Sequence, residues 1–164
     1  MIYREPVHLE VSINSQTLKV WRGHRVVITY PISSALKGTG QKKKSNQTPL
    51  GAHIIRAKIG QDQPVNSVFV ARRPTGEVYS PALAEAEPQR DWILSRIMWL
   101  SGCEKGRNRL GQVDTMQRYI YIHGTPDTEP MGEPHSHGCI RMRNPDVISL
   151  FELVLPGTRV DIHL

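Results

Sequence analysis

Side chains that could carry out acyl-transfer chemistry lie close together in the segment SHGCIRM, which spans residues 136–142. Cys139 could act as a nucleophile, because a neighbouring imidazole promotes the reactive thiolate. His123 lies upstream in the segment RYIYIHG, where we expect it to end a β-strand and to be held rigidly. The residue types and their spacing therefore predict that His123 is the base for a Cys139 nucleophile.

Glycines next to both residues leave room for a substrate. Gly124 follows the predicted base, and Gly138 precedes the predicted nucleophile. Consecutive N–H groups around Gly138 and Cys139 could hold a negatively charged oxygen, as in an oxyanion hole. The two segments thus predict a nucleophile, a base and an anion site in one place.

Two other interpretations of these residues stay open. Zinc could bind the nitrogen and sulfur ligands of this region, namely His123, His135, His137 and Cys139. Against zinc, ligands at alternate positions of one short segment would crowd one another, and the usual Cys-x-x-Cys pair is missing. The residues could also be structural, although histidines in a loop rich in glycine and proline are poor core material. We expect no metal and no cofactor.

The composition is that of a globular protein, with 164 residues, 38% hydrophobic and 22% charged. The formal net charge of +6 favours an anionic partner. We do not expect nucleic acid, because zinc-finger spacing and an aromatic-rich binding pattern are both missing. Two cysteines do not make a disulfide framework, so we expect Cys103 to be an ordinary thiol.

The N-terminal segment MIYREPVHLEVSI contains no run of seven or more apolar residues. It therefore does not resemble a secretory signal peptide, and no later segment predicts a membrane span. On this basis we expect a cytoplasmic protein, or a periplasmic one if the N-terminus has been trimmed.

Strands are the main elements expected to position the site. Alternating apolar residues predict a strand from Val7 to Ile13, and the segments TLKVW, VVITYPIS, AHIIRAKIG, NSVFVARR, RYIYIHG and RVDIHL predict others. The stretch LKGTGQKKKSNQTPLG predicts a long exposed loop. Because we find no repeat and no linker, we expect a single domain over residues 1–164.

Two segments predict helices. In the first, around residues 92–108, apolar residues recur at helical spacing, namely Ile93, Leu94, Ile97, Met98 and Leu100. Gly102 would end that helix, which we expect to form an insertion. In the second, Asn144 followed by Pro145 predicts a capped helix start.

The chain resembles the YkuD family, the L,D-transpeptidase catalytic domain. The similarity lies in YIHGT followed after a short spacer by SHGCIRM, in the turn of QTPLGAHII and in the hairpin HLEVSINSQTLKVW. It covers nearly the whole chain. The resemblance implies a mainly β fold, a YkuD-like β-sandwich of mixed sheets with one or two accessory helices.

The resemblance also implies a role for each residue of the motif. Cys139 would be the nucleophile and His123 its general base, oriented by a backbone carbonyl. Gly138 and Cys139 amides, helped by His137, would hold the oxyanion. Residues around this centre would bind the substrate, with Arg141 on a substrate carboxylate and Ser136 shaping the loop, together with Gly124 and Tyr121.

Members of this family cleave the bond between a diamino acid and the terminal D-Ala of a peptidoglycan tetrapeptide stem. The acyl group then passes to an amine or to water, and carbapenems acylate the cysteine. Since we see no secretion signal, we expect a cytoplasmic L,D-carboxypeptidase in muropeptide recycling. Cross-linking of peptidoglycan, or exchange of the terminal D-amino acid, is the alternative. The expected partners are stem peptides or muropeptides, and the oligomeric state is left open.

Overall fold

Residues 5–164 are described in the computed structural model, so the part of the N-terminal segment that precedes Glu5 lies outside the described residues. Within this described range, ten strands and two α-helices follow one another: β1 (Val7–Ser12), β2 (Thr17–Arg22), β3 (Arg25–Pro31), β4 (Gly51–Ile59), β5 (Ser67–Val70), β6 (Arg73–Val78), α1 (Pro81–Ala86), β7 (Leu94–Gly102), β8 (Tyr121–Gly124), β9 (Ile140–Met142), α2 (Asn144–Leu153) and β10 (Arg159–His163).

The strands form one mixed, hydrogen-bonded network. Its main path runs in the order β3-β2-β1-β10-β4-β7-β5-β6, and β8 and β9 branch from β7. Strand β1 pairs with β10 in parallel, as β8 does with β9, whereas the other pairs are antiparallel. Just after β3, Ser33 exchanges two backbone hydrogen bonds with Arg141 of β9. The network thereby closes on itself at β9.

The main hydrophobic core lies inside this network. It contains side chains from the first hairpin, from β7, β8 and β9, from α2 and from β10. Helix α2 contributes its apolar stripe, Val147, Leu150 and Phe151, as its spacing predicts, and Val154 follows directly at the C-cap. The mainly β class with mixed sheets and two helices is confirmed. A single domain over residues 1–164 stays our prediction.

The predicted helical insertion at residues 92–108 is wrong. Its first part is the strand β7, which is buried along most of its length. Met98 and Leu100 enter the main core, and Ile97 enters a second cluster with Phe69 and Tyr121. A strand that is buried on both faces has a continuous apolar run, which includes helical spacings by coincidence. Gly102 ends this strand rather than a helix.

The helix of this region lies earlier than predicted, at α1. Ser80 is its N-cap, because its side chain accepts a hydrogen bond from the Leu83 N–H at 3.1 Å. A serine cap followed by proline at the first helical position is a favourable start. The helix ends at Ala86, before the segment in which we predicted a helix.

The predicted cap of the second helix is also wrong, although the helix itself is confirmed. Arg143 occupies the N-cap position and Asn144 is the first helical residue. The Asn144 side chain accepts a hydrogen bond from Ser95 Oγ at 2.7 Å and donates to Thr125 O at 3.0 Å. Buried polar groups need partners, so the amide is used inside the fold.

The lysine-rich loop is exposed at Lys42, Lys43 and Lys44, as predicted, but the prediction is wrong at its C-terminal end, where Thr48 is buried. Cys103 is an exposed free thiol. Across residues 5–164, none of the helices is both long enough and apolar enough to cross a membrane.

Candidate active site

The parallel pairing of β8 with β9 places the predicted site residues on one face. Ile122 is opposite Ile140 and His123 is opposite Arg141. Since side chains alternate along a strand, the even-numbered residues enter the main core. The odd-numbered positions, Tyr121, His123, Cys139 and Arg141, line one pocket of about 440 Å³. Ser136 and His137 also line this pocket, which we call the cysteine pocket.

The orientation of His123 is set by the backbone. Its side chain is buried, and Nδ1 lies 2.6 Å from the carbonyl oxygen of Gly124. A carbonyl only accepts, so Nδ1 carries the proton and Nε2 of the neutral ring has a free lone pair. Burial lowers the pKa of His123, against the opposing effects of the Gly124 carbonyl and Asp91. At neutral pH the ring is therefore a neutral base.

The thiol of Cys139 is held by backbone groups. Sγ accepts a hydrogen bond from the Tyr121 N–H at 3.3 Å and donates to Tyr119 O at 3.4 Å. Burial raises the pKa of Cys139 to about 12, whereas the Tyr121 N–H and two arginines lower it. The resting pair is thus a thiol and a neutral imidazole. Proton transfer to His123 must then accompany attack on the substrate.

Ser136 organises the loop in front of the cysteine. Its Oγ donates to Cys139 O at 2.5 Å and accepts from the Gly138 N–H at 3.2 Å. Gly138 has a φ of +132°, a conformation that favours glycine. Of the two predicted oxyanion donors, the Gly138 N–H is therefore engaged within the loop. The Cys139 N–H has no hydrogen-bond partner among residues 5–164.

Gly124 is constrained by close packing rather than by its φ angle. A Cβ at this position would collide with the Asn144 side chain and with the Leu94 carbonyl oxygen. The position that carries the acceptor for His123 Nδ1 is therefore closed to larger residues. This explains, in physical terms, why a glycine follows the histidine.

Arg141 is buried and already paired with carboxylates. It lies 3.2 Å from Asp91 Oδ1 and 3.6 Å from Glu129 Oε2. The other oxygen of Asp91 lies 3.4 Å from His137 Nδ1. Burial raises the pKa of Asp91, but His123, Arg141 and His137 outweigh this effect and leave the pKa below its usual value. An ionised Asp91 therefore links two of the predicted site residues.

The tip of the β5–β6 hairpin forms the opposite wall of the cysteine pocket. Ala71 and Arg72 both have positive φ angles, 49° and 64°, which non-glycine residues adopt at a cost. The Arg72 guanidinium lies over Trp99, 4.6 Å from the ring centroid, and donates to Tyr121 Oη at 3.0 Å. These contacts hold the strained tip over the pocket.

The structure brings together most of the predicted site residues, but sequence reasoning missed several others. Asp91, Arg72 and Tyr119 line the same pocket. Asp91 directly precedes the segment, residues 92–108, that we predicted to be helical, so its neighbours could not be assigned. The pair Ala71–Arg72 has neither the glycine nor the asparagine that normally indicates a left-handed turn.

The ligands of the zinc interpretation do not converge. His135 bonds to Glu133 at 3.0 Å and does not line the cysteine pocket. Within the described range 5–164, the geometry forms no group of three or more histidine, cysteine, aspartate or glutamate side chains that could hold a metal ion. The geometry gives no support to the zinc alternative.

Comparison with known proteins agrees with the motif and the fold. The family model for the YkuD L,D-transpeptidase catalytic domain matches residues 6–162. The chain is 30% identical to YkuD of Bacillus subtilis (strain 168), which carries the name L,D-transpeptidase, over 161 residues. This match covers 98% of the chain and 68% of that protein. The chain therefore belongs to the YkuD family of L,D-transpeptidase catalytic domains.

Solved structures show the same fold. The L,D-transpeptidase from Mycobacterium smegmatis has a TM-score of 0.61 at 18% identity, covering 97% of this chain and 59% of that one. L,D-transpeptidase 3 from Mycobacterium tuberculosis, in complex with a faropenem-derived adduct, has a TM-score of 0.57 at 19% identity. That match covers 96% of this chain and 60% of the other. The chain thus spans about 60% of the length of each.

Proposed function

We propose that the domain cleaves the bond between the diamino acid and the terminal D-Ala of a peptidoglycan tetrapeptide stem. The observation that carries the proposal is the pairing of β8 with β9, which places His123 and Cys139 in one pocket. The family membership supports the choice of substrate. The predicted roles of Gly138, His137, Arg141, Ser136, Gly124 and Tyr121 belong to the same proposal.

The reaction begins with the neutral pair. Nε2 of His123 takes the thiol proton while Sγ attacks the carbonyl carbon, and the Cys139 N–H faces the developing oxyanion. Collapse of this intermediate breaks the peptide bond, and the His123 proton passes to the leaving amino group of D-Ala. A thioester between Cys139 and the tripeptide remains.

The acceptor of this thioester distinguishes a transpeptidase from a carboxypeptidase. The names of the relatives support transfer to an amine. Hydrolysis in muropeptide recycling, which we expect from the N-terminal segment, is the other outcome. The experiment described next distinguishes hydrolysis from transfer to an amine. The cytoplasmic location stays a prediction, which fractionation of the untagged protein tests.

The test is mass spectrometry of products formed from a tetrapeptide stem, with and without a D-amino acid as the acceptor amine. Release of D-Ala in both reactions supports the proposal. Tripeptide alone indicates hydrolysis, whereas an exchanged or dimeric product indicates transpeptidation. Cys139→Ala is the matched control. D-Ala release by this variant at the wild-type rate would refute the assignment of Cys139 as the nucleophile.

Carbapenem acylation of Cys139 is a second part of the proposal. The M. tuberculosis relative was solved with an adduct derived from faropenem, another β-lactam. We expect a carbapenem to add its mass to the peptide that contains Cys139. Labelling of Cys103, the other free thiol, would count against this assignment.

A further inference from the structure

A second pocket adjoins the cysteine pocket on its basic side. It has a volume of about 310 Å³ and is lined by Lys43, Lys44 and Arg118, among others. Tyr119 and His137 line both pockets. Because the Cys139 thiol donates to Tyr119 O, the reacting sulfur lies next to the wall that the two pockets share. We call this second pocket the lysine pocket.

The positive charge of the lysine pocket is not balanced locally. Among residues 5–164, no carboxylate lines it. In the part of the chain that the structure describes, neither Lys43, Lys44 nor Arg118 forms an ion pair. The nearest polar partner of the Lys43 ammonium is a neutral amide oxygen, Gln117 Oε1 at 3.5 Å.

The opposite side of the catalytic centre differs in this respect. There Arg141 faces two carboxylates, and Arg90 lies 2.7 Å from Glu77. The charges on that side are neutralised within the protein. Arg72, on the hairpin side of the cysteine pocket, also forms no ion pair among residues 5–164, but its guanidinium lies over Trp99 and donates to Tyr121 Oη. The lysine side therefore offers an anionic group of a substrate a cluster of cations that no carboxylate of the described residues neutralises.

The backbone of the lysine pocket is held in place. Arg118 donates to the carbonyl oxygens of Gly40, at 3.1 Å, and Gln47, at 2.5 Å, and so ties the loop to the body of the domain. Lys44 and Asn46 adopt positive φ angles of 64° and 57°. Strained positions of this kind are retained where surrounding contacts determine them. The lysines therefore extend from a defined loop.

We propose that the lysine pocket binds a carboxylate of the stem peptide, so that the peptide crosses Cys139 with its anionic part toward Lys43 and Lys44. This inference rests on the proposed function for the identity of the substrate. The carboxylate could be the one at the terminal D-Ala or one further inside the stem, and both have the same chemistry.

Binding of the tetrapeptide stem to protein carrying Cys139→Ala tests the pocket without turnover. We expect the added double variant Lys43→Gln/Lys44→Gln to weaken the Kd about tenfold, equivalent to about 1.4 kcal/mol. The loss should shrink in high salt, because exposed charges are screened. The matched control is Lys37→Gln/Lys42→Gln, which removes two exposed charges from the same loop but leaves the pocket lining intact.

Two amidated peptides identify the carboxylate. One lacks the terminal charge and the other lacks the inner charge. The peptide without the recognised carboxylate should bind the Cys139→Ala protein about tenfold more weakly than the stem, and the lysine double variant should not weaken it further.

The proposal is overturned if the two double variants change the Kd equally, if the lysine double variant has no effect, or if the stem does not bind. It is also overturned if the lysine double variant weakens binding of both amidated peptides as much as it weakens binding of the stem. Turnover by the wild-type protein is measured separately. A lack of D-Ala release there refutes the proposed function, whereas an unchanged Kd refutes only the subsite.

Discussion

The two walls of the cysteine pocket are built in different ways. One wall is the parallel pair β8–β9, whose outer neighbours are the strand β7 and the segment after β3. The other wall consists of the hairpin tip at Ala71–Arg72 and of Asp91, which lies outside any helix or strand. The first wall is held by backbone hydrogen bonds, and the second by side-chain contacts.

The reacting groups lie in the first wall, and the second wall carries groups that influence their charge and position. His123 is buried and fixed through a backbone carbonyl, so its position depends little on neighbouring side chains. Asp91 and Arg72 act through charges and hydrogen bonds, which a single substitution can remove. Changes in the strand wall should therefore abolish the reaction, whereas changes in the loop wall should shift its pH dependence or the stability of the fold.

The largest effect is expected for His123→Gln. Glutamine keeps a polar group of similar length but cannot act as a base near neutral pH. We expect D-Ala release to fall by about 10²–10⁴-fold, the usual contribution of general acid–base catalysis. The measurement is the steady-state rate with a tetrapeptide stem.

His163→Gln is the control for this variant, because His163 is exposed on β10 and bonds to Glu10. It should have the wild-type rate. If His123→Gln keeps more than a tenth of the wild-type rate of D-Ala release, His123 is not the general base. The proposed difference between the two walls would then be wrong as well.

A smaller effect is expected for Asp91→Asn. Its negative charge raises the pKa of His123, although burial is the larger effect and lowers it. Removing the charge lowers that pKa further, so His123 stays neutral to a lower pH. The acidic limb of the profile of kcat/KM against pH should therefore move to lower pH, and Arg141 should lose a charged partner.

Glu133→Gln serves as the comparison for Asp91→Asn, since Glu133 pairs with a histidine outside the cysteine pocket. It should leave the acidic limb in place. A shift of the Asp91→Asn limb toward higher pH would contradict the assigned sign of the charge effect.

The smallest effect is expected at the hairpin tip. Ala71 has a φ of 49°, and a left-handed residue other than glycine costs about 1–2 kcal/mol. Glycine removes this cost but loses about 0.5–1 kcal/mol of backbone entropy. We expect Ala71→Gly to raise the free energy of unfolding by about 0.5 kcal/mol, as measured by urea denaturation.

We expect Ala82→Gly to change the free energy of unfolding in the opposite direction. Ala82 lies in the helix α1, where glycine is less favourable than alanine. It should lower the free energy of unfolding by up to about 1 kcal/mol. Equal destabilisation by the two glycines would show that the hairpin tip is not strained.

The strand wall was largely predictable from the sequence, and the loop wall was not. Tyr121, His123 and Cys139 lie in short motifs whose spacing reflects the pairing of two adjacent strands. The contacts of Asp91 depend on the path of β7, and this apolar run matches a helix as well as a strand buried on both faces. The same limit applies to Asn144, which the sequence predicts as a helix cap but which uses its side chain to bond to the buried groups Ser95 Oγ and Thr125 O.

The covalent intermediate tests the account most directly. Protein is quenched during turnover of a tetrapeptide stem, and the intact mass and the digested peptides are measured. The account predicts added mass equal to the tetrapeptide minus D-Ala, located on the peptide that contains Cys139 and missing from Cys139→Ala. D-Ala release without any such adduct, or an adduct on Cys103, would contradict it.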